Sequence, residues 1–132
     1  MAKTITLKTI IPATPKMVYD AWLNSKEHTA MTGGPTAVIS NEVGSPFTAH
    51  NAYLWGKNLE LIPVQKIVQT WRTNGFKSTD SDSQIEITLK SHSNGTSLTL
   101  RHSNIPSQEG HVVKGWISHY FNPMKAYFKT KQ

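Results

Sequence analysis

Eight carboxylates, six histidines and a scatter of serines are the groups through which this 132-residue chain could do acid–base, metal or nucleophilic chemistry. General acid–base catalysis needs two positioned ionisable groups. Asp20, Glu27, Glu42, Glu60, Asp80, Asp82, Glu86 and Glu109 fall mostly on outward faces or in loops, and no pair among them stands out. His111 and His119 lie eight residues apart, too far to share a metal on one helical turn. There is no Gly-x-Ser-x-Gly elbow and no glycine loop to cradle a phosphate. With no cysteine, disulfides, thiolate metal sites and cysteine nucleophiles are excluded, which fits a reducing compartment. The residues call for no catalytic group, no metal and no cofactor.

The aromatic residues carry more information. Trp55, Trp71, Trp116, Tyr53, Tyr120 and Phe47 fall on predicted inward faces. A solid core shows the same pattern, because aromatic rings dominate core energetics. A helix lying across a strongly curved sheet can also leave interior space, and a concave apolar cavity with a few polar groups is the usual small-ligand site. The candidate lining is Phe47, Tyr53, Trp55, Ile67, Gln69 and Trp71 from the earlier strands. Ile87, Leu98 and Leu100 join it from the later strands, and Trp116 and Tyr120 from the closing helix. Gln69 shares its parity with Ile67 and Trp71, so it faces inward. A buried amide without partners costs about 1–3 kcal/mol. A backbone group, the hydroxyl of Tyr53 or Tyr120, a buried water or a ligand's polar head must therefore satisfy it. His102 poses the same question at a strand end, unless it is exposed there.

These groups need elements to position them. Thr4–Ile11 alternates as a half-buried strand. Thr14 is a plausible N-cap with Pro15 at the first helical position, and Val18, Ala21 and Trp22 recur at helical spacing. Ser25 can cap a second short helix over Lys26–Met31, ended by Gly33-Gly34-Pro35. Strand candidates follow at Thr36–Ser40, Phe47–Asn51, Tyr53–Ile62, Gln65–Thr73, Gln84–His92 and Thr96–Ser103. Asn94-Gly95 predicts a tight hairpin, since both residues tolerate positive φ. Ser78–Ser83 reads as a flexible loop with nothing apolar to anchor it. Ile85, Ile87 and Leu89 oppose Glu86, Thr88 and Lys90, while Tyr53, Trp55, Leu59 and Leu61 share a parity. One apolar sheet face with the other solvated is the antiparallel pattern.

Around Gly110–Lys129 a broad apolar stripe of Val113, Trp116, Ile117, Tyr120, Met124, Tyr127 and Phe128 predicts a long closing helix. Pro123 inside it predicts a kink near Asn122. Gly115 costs about 1 kcal/mol relative to alanine in a helix, so a close approach to the sheet or to the Trp22 helix is expected there. The order of elements is α+β, with helices on one face of an antiparallel sheet of about six or seven strands.

Length and composition bound the rest. One domain over residues 1–132 buries enough surface to fold without a staple. A hydrophobic fraction of 37% with 17% charged residues reads as soluble and globular. The N-terminus lacks an apolar signal region and no run is long enough to span a membrane, so the expected location is cytoplasmic. The formal charge of +6 is dispersed; only Lys125, Lys129 and Lys131 cluster, next to the negative end of the last helix. Without a basic stripe interleaved with exposed aromatics, nucleic acid is not an expected partner.

The order of several segments resembles a known family. Met17-Val18-Tyr19-Asp20-Ala21-Trp22 follows the helix start, and Leu61-Ile62-Pro63 leads into Ile67-Val68-Gln69-Thr70-Trp71-Arg72. Ile105-Pro106, Gly115-Trp116 and Tyr120-Phe121-Asn122-Pro123-Met124-Lys125-Ala126-Tyr127-Phe128 close the chain. Over nearly its whole length the sequence resembles the activator of heat-shock protein 90 ATPase homologues, within the START-like (SRPBCC) helix-grip superfamily. The resemblance implies a birch-pollen-allergen-like curved antiparallel sheet gripping a long C-terminal helix, with two short helices after the first strand and a cavity between sheet and helix. Where members often carry Gly-Gly-Phe before the third strand, this chain has Gly44-Ser45-Pro46-Phe47. It looks like the C-terminal domain of the eukaryotic co-chaperones, without their N-terminal domain.

Three expectations follow for function. The first is a non-catalytic module holding a small hydrophobic or amphipathic ligand in the cavity. The second is a protein-interaction module acting on a heat-shock protein 90 type chaperone through the outer sheet face and basic tail. The third is a hydrolase or cyclase using polar cavity groups, as in some START-like relatives.

Overall fold

The computed structural model describes residues 2–130. Strand β1 (Lys3–Ile11) leads into helices α1 (Pro15–Trp22) and α2 (Ser25–Met31), followed by β2 (Pro46–Ala49), β3 (Leu54–Ile62), β4 (Lys66–Thr73), β5 (Ser83–His92) and β6 (Gly95–Ile105). The closing helix comprises α3 (Val112–Trp116), a π-helical segment (Ile117–Phe121) and α4 (Asn122–Lys129). The six strands form one curved antiparallel sheet in the order β1-β6-β5-β4-β3-β2. Successive strands from β2 to β6 pair as a meander, and β1 returns alongside β6. The α+β class and the helix-grip arrangement follow the sequence expectation.

Local signals explain most boundaries. Thr14 caps α1, its Oγ1 accepting from the Met17 N–H at 3.2 Å, with Pro15 at the helix start. In α2 the cap is Asn24 rather than Ser25: Asn24 Oδ1 accepts from the Glu27 N–H at 2.9 Å. Ser25 instead ties the helix to Ile39, donating to its carbonyl and accepting from its N–H. Thr36–Ser40 forms a single bridge, Val38 to Thr48, so the sheet has six strands. The turn before β2 is built with Gly44 at φ +88 and its N–H bonded to the Asn58 carbonyl at 2.8 Å.

Two turns differ from their sequence reading in mechanism. The β5–β6 hairpin turns on Ser93-Asn94, with Gly95 already paired to His92. Gly95 is required by its φ of +132 and by proximity to β1, since a Cβ there would lie 2.1 Å from the Ile11 carbonyl oxygen. The polar loop before β5 is anchored after all. Arg72 donates to the carbonyls of Lys77 and Asp80 at 2.6 and 2.7 Å and reaches Asp82 at 3.2 Å.

The core is the concave face of the sheet covered by α1 and the closing helix. Ile67, Ile85, Ile87, Leu98 and Leu100 from the sheet meet Val18, Trp22, Met124 and Phe128 from the helices, all with at most 2% exposure. Where Pro123 predicts a kink, the structure shows a widened turn: the Asn122 N–H bonds the Ile117 carbonyl five residues back. Proline removes a donor and crowds the preceding turn, and a π segment makes that room. Among the described residues no helix is long and apolar enough to cross a membrane. Lys129 lies in the last turn of α4, while Lys131 falls outside the described residues.

Candidate functional site

Strands β3, β4 and β6, the segment 50–54 and the first turns of the closing helix border an open pocket of about 600 Å³. Its wall is apolar, with Trp71, Trp116, Tyr120, Leu54, Phe76 and Ile105. The rings pack as one cluster: Trp71 and Trp116 centroids lie 4.9 Å apart, Trp116 and Tyr120 5.0 Å, and Trp22 closes the far side 4.9 Å from Tyr120. Each such pair contributes about 0.5–1.5 kcal/mol beyond area burial, so the wall is stiff. The mouth is polar. His111, Lys114, Ser118 and His119 line it from the helix, and His50 and Asn51 from the opposite lip.

Behind the wall, the buried polar groups are linked in directed chains. Gln69, fully buried, accepts at Oε1 from the Trp22 indole N–H (3.1 Å) and donates from Nε2 to Asn58 Oδ1 (2.9 Å). Asn58 in turn donates to the carbonyls of Ser40 and Glu42, both at 2.9 Å. Neither Tyr53 nor Tyr120 serves Gln69. The Tyr120 hydroxyl lies 2.9 Å from His28 Nε2, and His28 Nδ1 lies 2.7 Å from the Trp22 carbonyl. A carbonyl can only accept, so His28 carries its proton on Nδ1 and Tyr120 donates to Nε2. Burial holds His28 down at about 4, against the raising effect of the Trp22 carbonyl, and pushes the Tyr120 phenol up.

His102 makes the second chain. It continues the inward parity of Leu98 and Leu100 and is 3% exposed. The Trp116 indole N–H donates to His102 Nδ1 at 3.1 Å, so the imidazole proton sits on Nε2, which donates to Ser83 Oγ at 2.8 Å. Ser83 completes the chain on the Trp71 carbonyl. A serine–histidine pair at this distance invites a nucleophilic reading, but the tautomer is the wrong one. A general base needs a free lone pair facing the hydroxyl, and here that nitrogen holds the proton. Burial lowers His102 to about 4. Both chains therefore hold the wall rings in place, and neither delivers a proton.

The eleven sequence-expected lining residues divide. Tyr53, Trp71, Trp116 and Tyr120 border the cavity. Phe47, Ile67, Ile87, Leu98, Leu100 and Gln69 lie behind it in the packed interior, each 2% exposed or less. Trp55 points outward and is 36% exposed. In β3 Leu54 and Asn58 face inward ahead of a register shift between Asn58 and Glu60, and Leu61 packs against the core after it. A bulge moves the following residues to the other face, so Tyr53, Trp55, Leu59 and Leu61 do not share one. Tyr53 precedes β3 and stands 42% exposed at the lip.

Other site residues carried weaker sequence signals. Parity alone would have placed His102 inside. Glu109 lies in the loop before the closing helix and is nevertheless 5% exposed, accepting from Thr73 Oγ1 at 3.1 Å. His50 begins a run of three non-glycine residues with positive φ, His50 at 51°, Asn51 at 57° and Ala52 at 65°, which no local motif announces. Gly115, expected to mark a close approach, has nothing within 4 Å of where its Cβ would stand, and it borders the cavity instead. Among the described residues no group of three or more histidine or carboxylate side chains converges to hold a metal.

Known proteins share this architecture. An HSP90 activator from Plasmodium falciparum superposes with a TM-score of 0.79 at 24% identity, over 96% of this chain and 94% of that one. The Aha1 dimer from Colwellia psychrerythraea gives 0.80 at 19% identity, over 98% and 99%. At these identities the likeness concerns the fold. In sequence, the activator of 90 kDa heat shock protein ATPase homolog from Dictyostelium discoideum is 30% identical over 128 residues, 96% of this chain. The chain spans 33% of that relative's length. Residues 12–129 match the family described as Activator of Hsp90 ATPase homolog 1-like protein. With nearly the whole chain inside that match and the helix-grip fold around it, this protein belongs to the Activator of Hsp90 ATPase homolog 1-like family.

Proposed function

We propose that this protein is a non-catalytic binding module that holds a small hydrophobic or amphipathic ligand in the cavity between sheet and closing helix. The observation that carries the reading is Gly115. A helical glycine costs about 1 kcal/mol relative to alanine, and this one has no packing neighbour that would forbid a side chain. What its missing side chain leaves is space in the cavity wall, between Lys114 and Trp116. A volume of about 600 Å³ with a mostly apolar lining falls in the range of small-molecule sites. Native mass spectrometry after gentle purification, followed by a panel of lipids and flavonoid-like compounds, tests it. The wild type should show a mass adduct or quenched tryptophan fluorescence, and Gly115→Phe, which fills the space, should show neither. A panel that leaves mass and fluorescence of the wild type unchanged refutes the reading.

A second reading has its own support. The family match and the outward Trp55 and Leu59, 36% and 37% exposed on β3, favour a surface that engages a heat-shock protein 90 type chaperone. A pull-down with the host's chaperone and an ATPase assay test it. Loss of binding in Trp55→Ala would support this surface, whereas no binding and no rate change by the wild type would refute it.

A further inference from the structure

The polar mouth of the cavity is asymmetric in charge, and that asymmetry selects among ligands. We propose that the ligand is an amphipathic acid: its apolar body lies in the pocket floored by Trp71, Trp116 and Tyr120, and its carboxylate sits at the mouth with Lys114 and His50. This inference rests on the cavity reading above and names the ligand class for that site.

Four observations support it. Lys114 is exposed at the mouth and makes no ion pair among the described residues. Its helical neighbours at the same opening, His111, Ser118 and His119, are all potential hydrogen-bond donors. The carboxylate that also borders the cavity, Glu109, is already engaged by Thr73 and is turned toward Gly75, where a Cβ would lie 2.6 Å from its Oε2. The mouth thus offers one uncommitted cation and several donors, with its anion withdrawn.

The fourth observation is His50. Its Nε2 is shielded from solvent and has no hydrogen-bond partner, although the residue as a whole is only half-buried. A buried, unpartnered polar atom costs about 1–3 kcal/mol, and such groups in a folded protein call for an explanation. The ring stands edge-on to Tyr120 at 5.0 Å and to His119 at 5.9 Å, inside the cavity lip. It is held there by the His50–Ala52 run of positive φ, a conformation that histidine and asparagine tolerate better than alanine and that is concentrated at ligand clamps and active sites. A rotation of this half-exposed ring toward the opening would give Nε2–H a carboxylate oxygen to donate to. The pocket floor, where Trp71, Trp116 and Tyr120 pack on one another and are each at most 4% exposed, suits the apolar body of such an acid.

Isothermal titration calorimetry with two probes that share one ring system tests the proposal: 2-naphthoate and 2-naphthalenemethanol. The wild type should bind the acid about 10-fold more tightly than the alcohol, as one charge-assisted hydrogen bond allows. That preference should shrink as salt is raised. Lys114→Gln and His50→Asn should each weaken the acid at least about 3-fold and leave the alcohol unchanged. Asparagine tolerates positive φ, so the lip keeps its shape in the second variant, and an unchanged melting temperature confirms it. If the wild type binds both probes equally, or the variants leave the preference intact, the acid proposal is overturned while the cavity reading stands. If neither probe binds the wild type, the acid proposal is overturned, and the cavity reading is decided by the lipid and flavonoid-like panel.

Discussion

Acidification from about pH 7 to about pH 5 protonates His28 and His102 in the unfolded chain, where their pKa is near 6.5, but not in the fold, where burial holds both near 4. The unfolded state then binds more protons, so stability falls as pH falls. For His102 the cause is burial, and an imidazolium would in addition put an N–H on Nδ1 against the Trp116 indole N–H, 3.1 Å away. Integrated over that window, each histidine removes about 2 kcal/mol, and the pair about 4 kcal/mol. A domain of this size has roughly 5–15 kcal/mol in all, so the loss is a large share. His50, lowered by its partial burial and by His119, acts in the same direction. Urea unfolding followed by tryptophan fluorescence should show the midpoint falling steeply between about pH 7 and about pH 5, with an unchanged m-value. The variant His102→Gln should start less stable and keep about half of the pH dependence. A midpoint that stays flat over this window, or a variant that keeps the full slope, would refute the buried neutral histidines and the tautomers assigned from them.

Other consequences are open to direct measurement. Gln69→Leu leaves the Trp22 indole N–H and Asn58 Oδ1 unpaired in the core, and should destabilise by about 2–4 kcal/mol in chemical denaturation. Gly95→Ala places a Cβ against the Ile11 carbonyl at positive φ and should lower stability by about 3 kcal/mol or more, or prevent soluble expression. Gly115→Ala, by contrast, meets nothing and should raise the thermal midpoint by an amount matching about 0.5–1 kcal/mol. Arg72→Ala frees the loop carbonyls of Lys77 and Asp80, and limited trypsin digestion should then cut at Lys77 faster than in the wild type.

Much of the architecture was legible from local rules. Thr14-Pro15 predicted the start of α1, and the alternation of Ile85, Ile87 and Leu89 against Leu98 and Leu100 predicted the inward faces of β5 and β6. These signals work because caps and strand parity involve a few neighbouring residues. Errors came where partners distant in sequence decide the outcome. The register shift in β3 exists only once β4 is laid beside it, and it puts Trp55 and Leu61, which share a parity, on opposite faces. Arg72 anchors a loop that contains nothing apolar, through bonds to carbonyls that no composition rule detects.

The site shows the same division more sharply. That a helix bearing Trp116 and Tyr120 would close over a sheet bearing Trp71 and Gln69 could be read from periodicity and from the order of the family-like segments, because burial of apolar stripes dictates it. Whether that closure would be solid or hollow could not, since it depends on volumes contributed by strands, lip and helix together. Only the folded chain places Gly115 beside open space and brings it to the same pocket as His50, held at positive φ, and Lys114. Gly115, from its sequence alone, suggested a close contact. In the fold it is the place where contact is missing, and on that the proposed function turns.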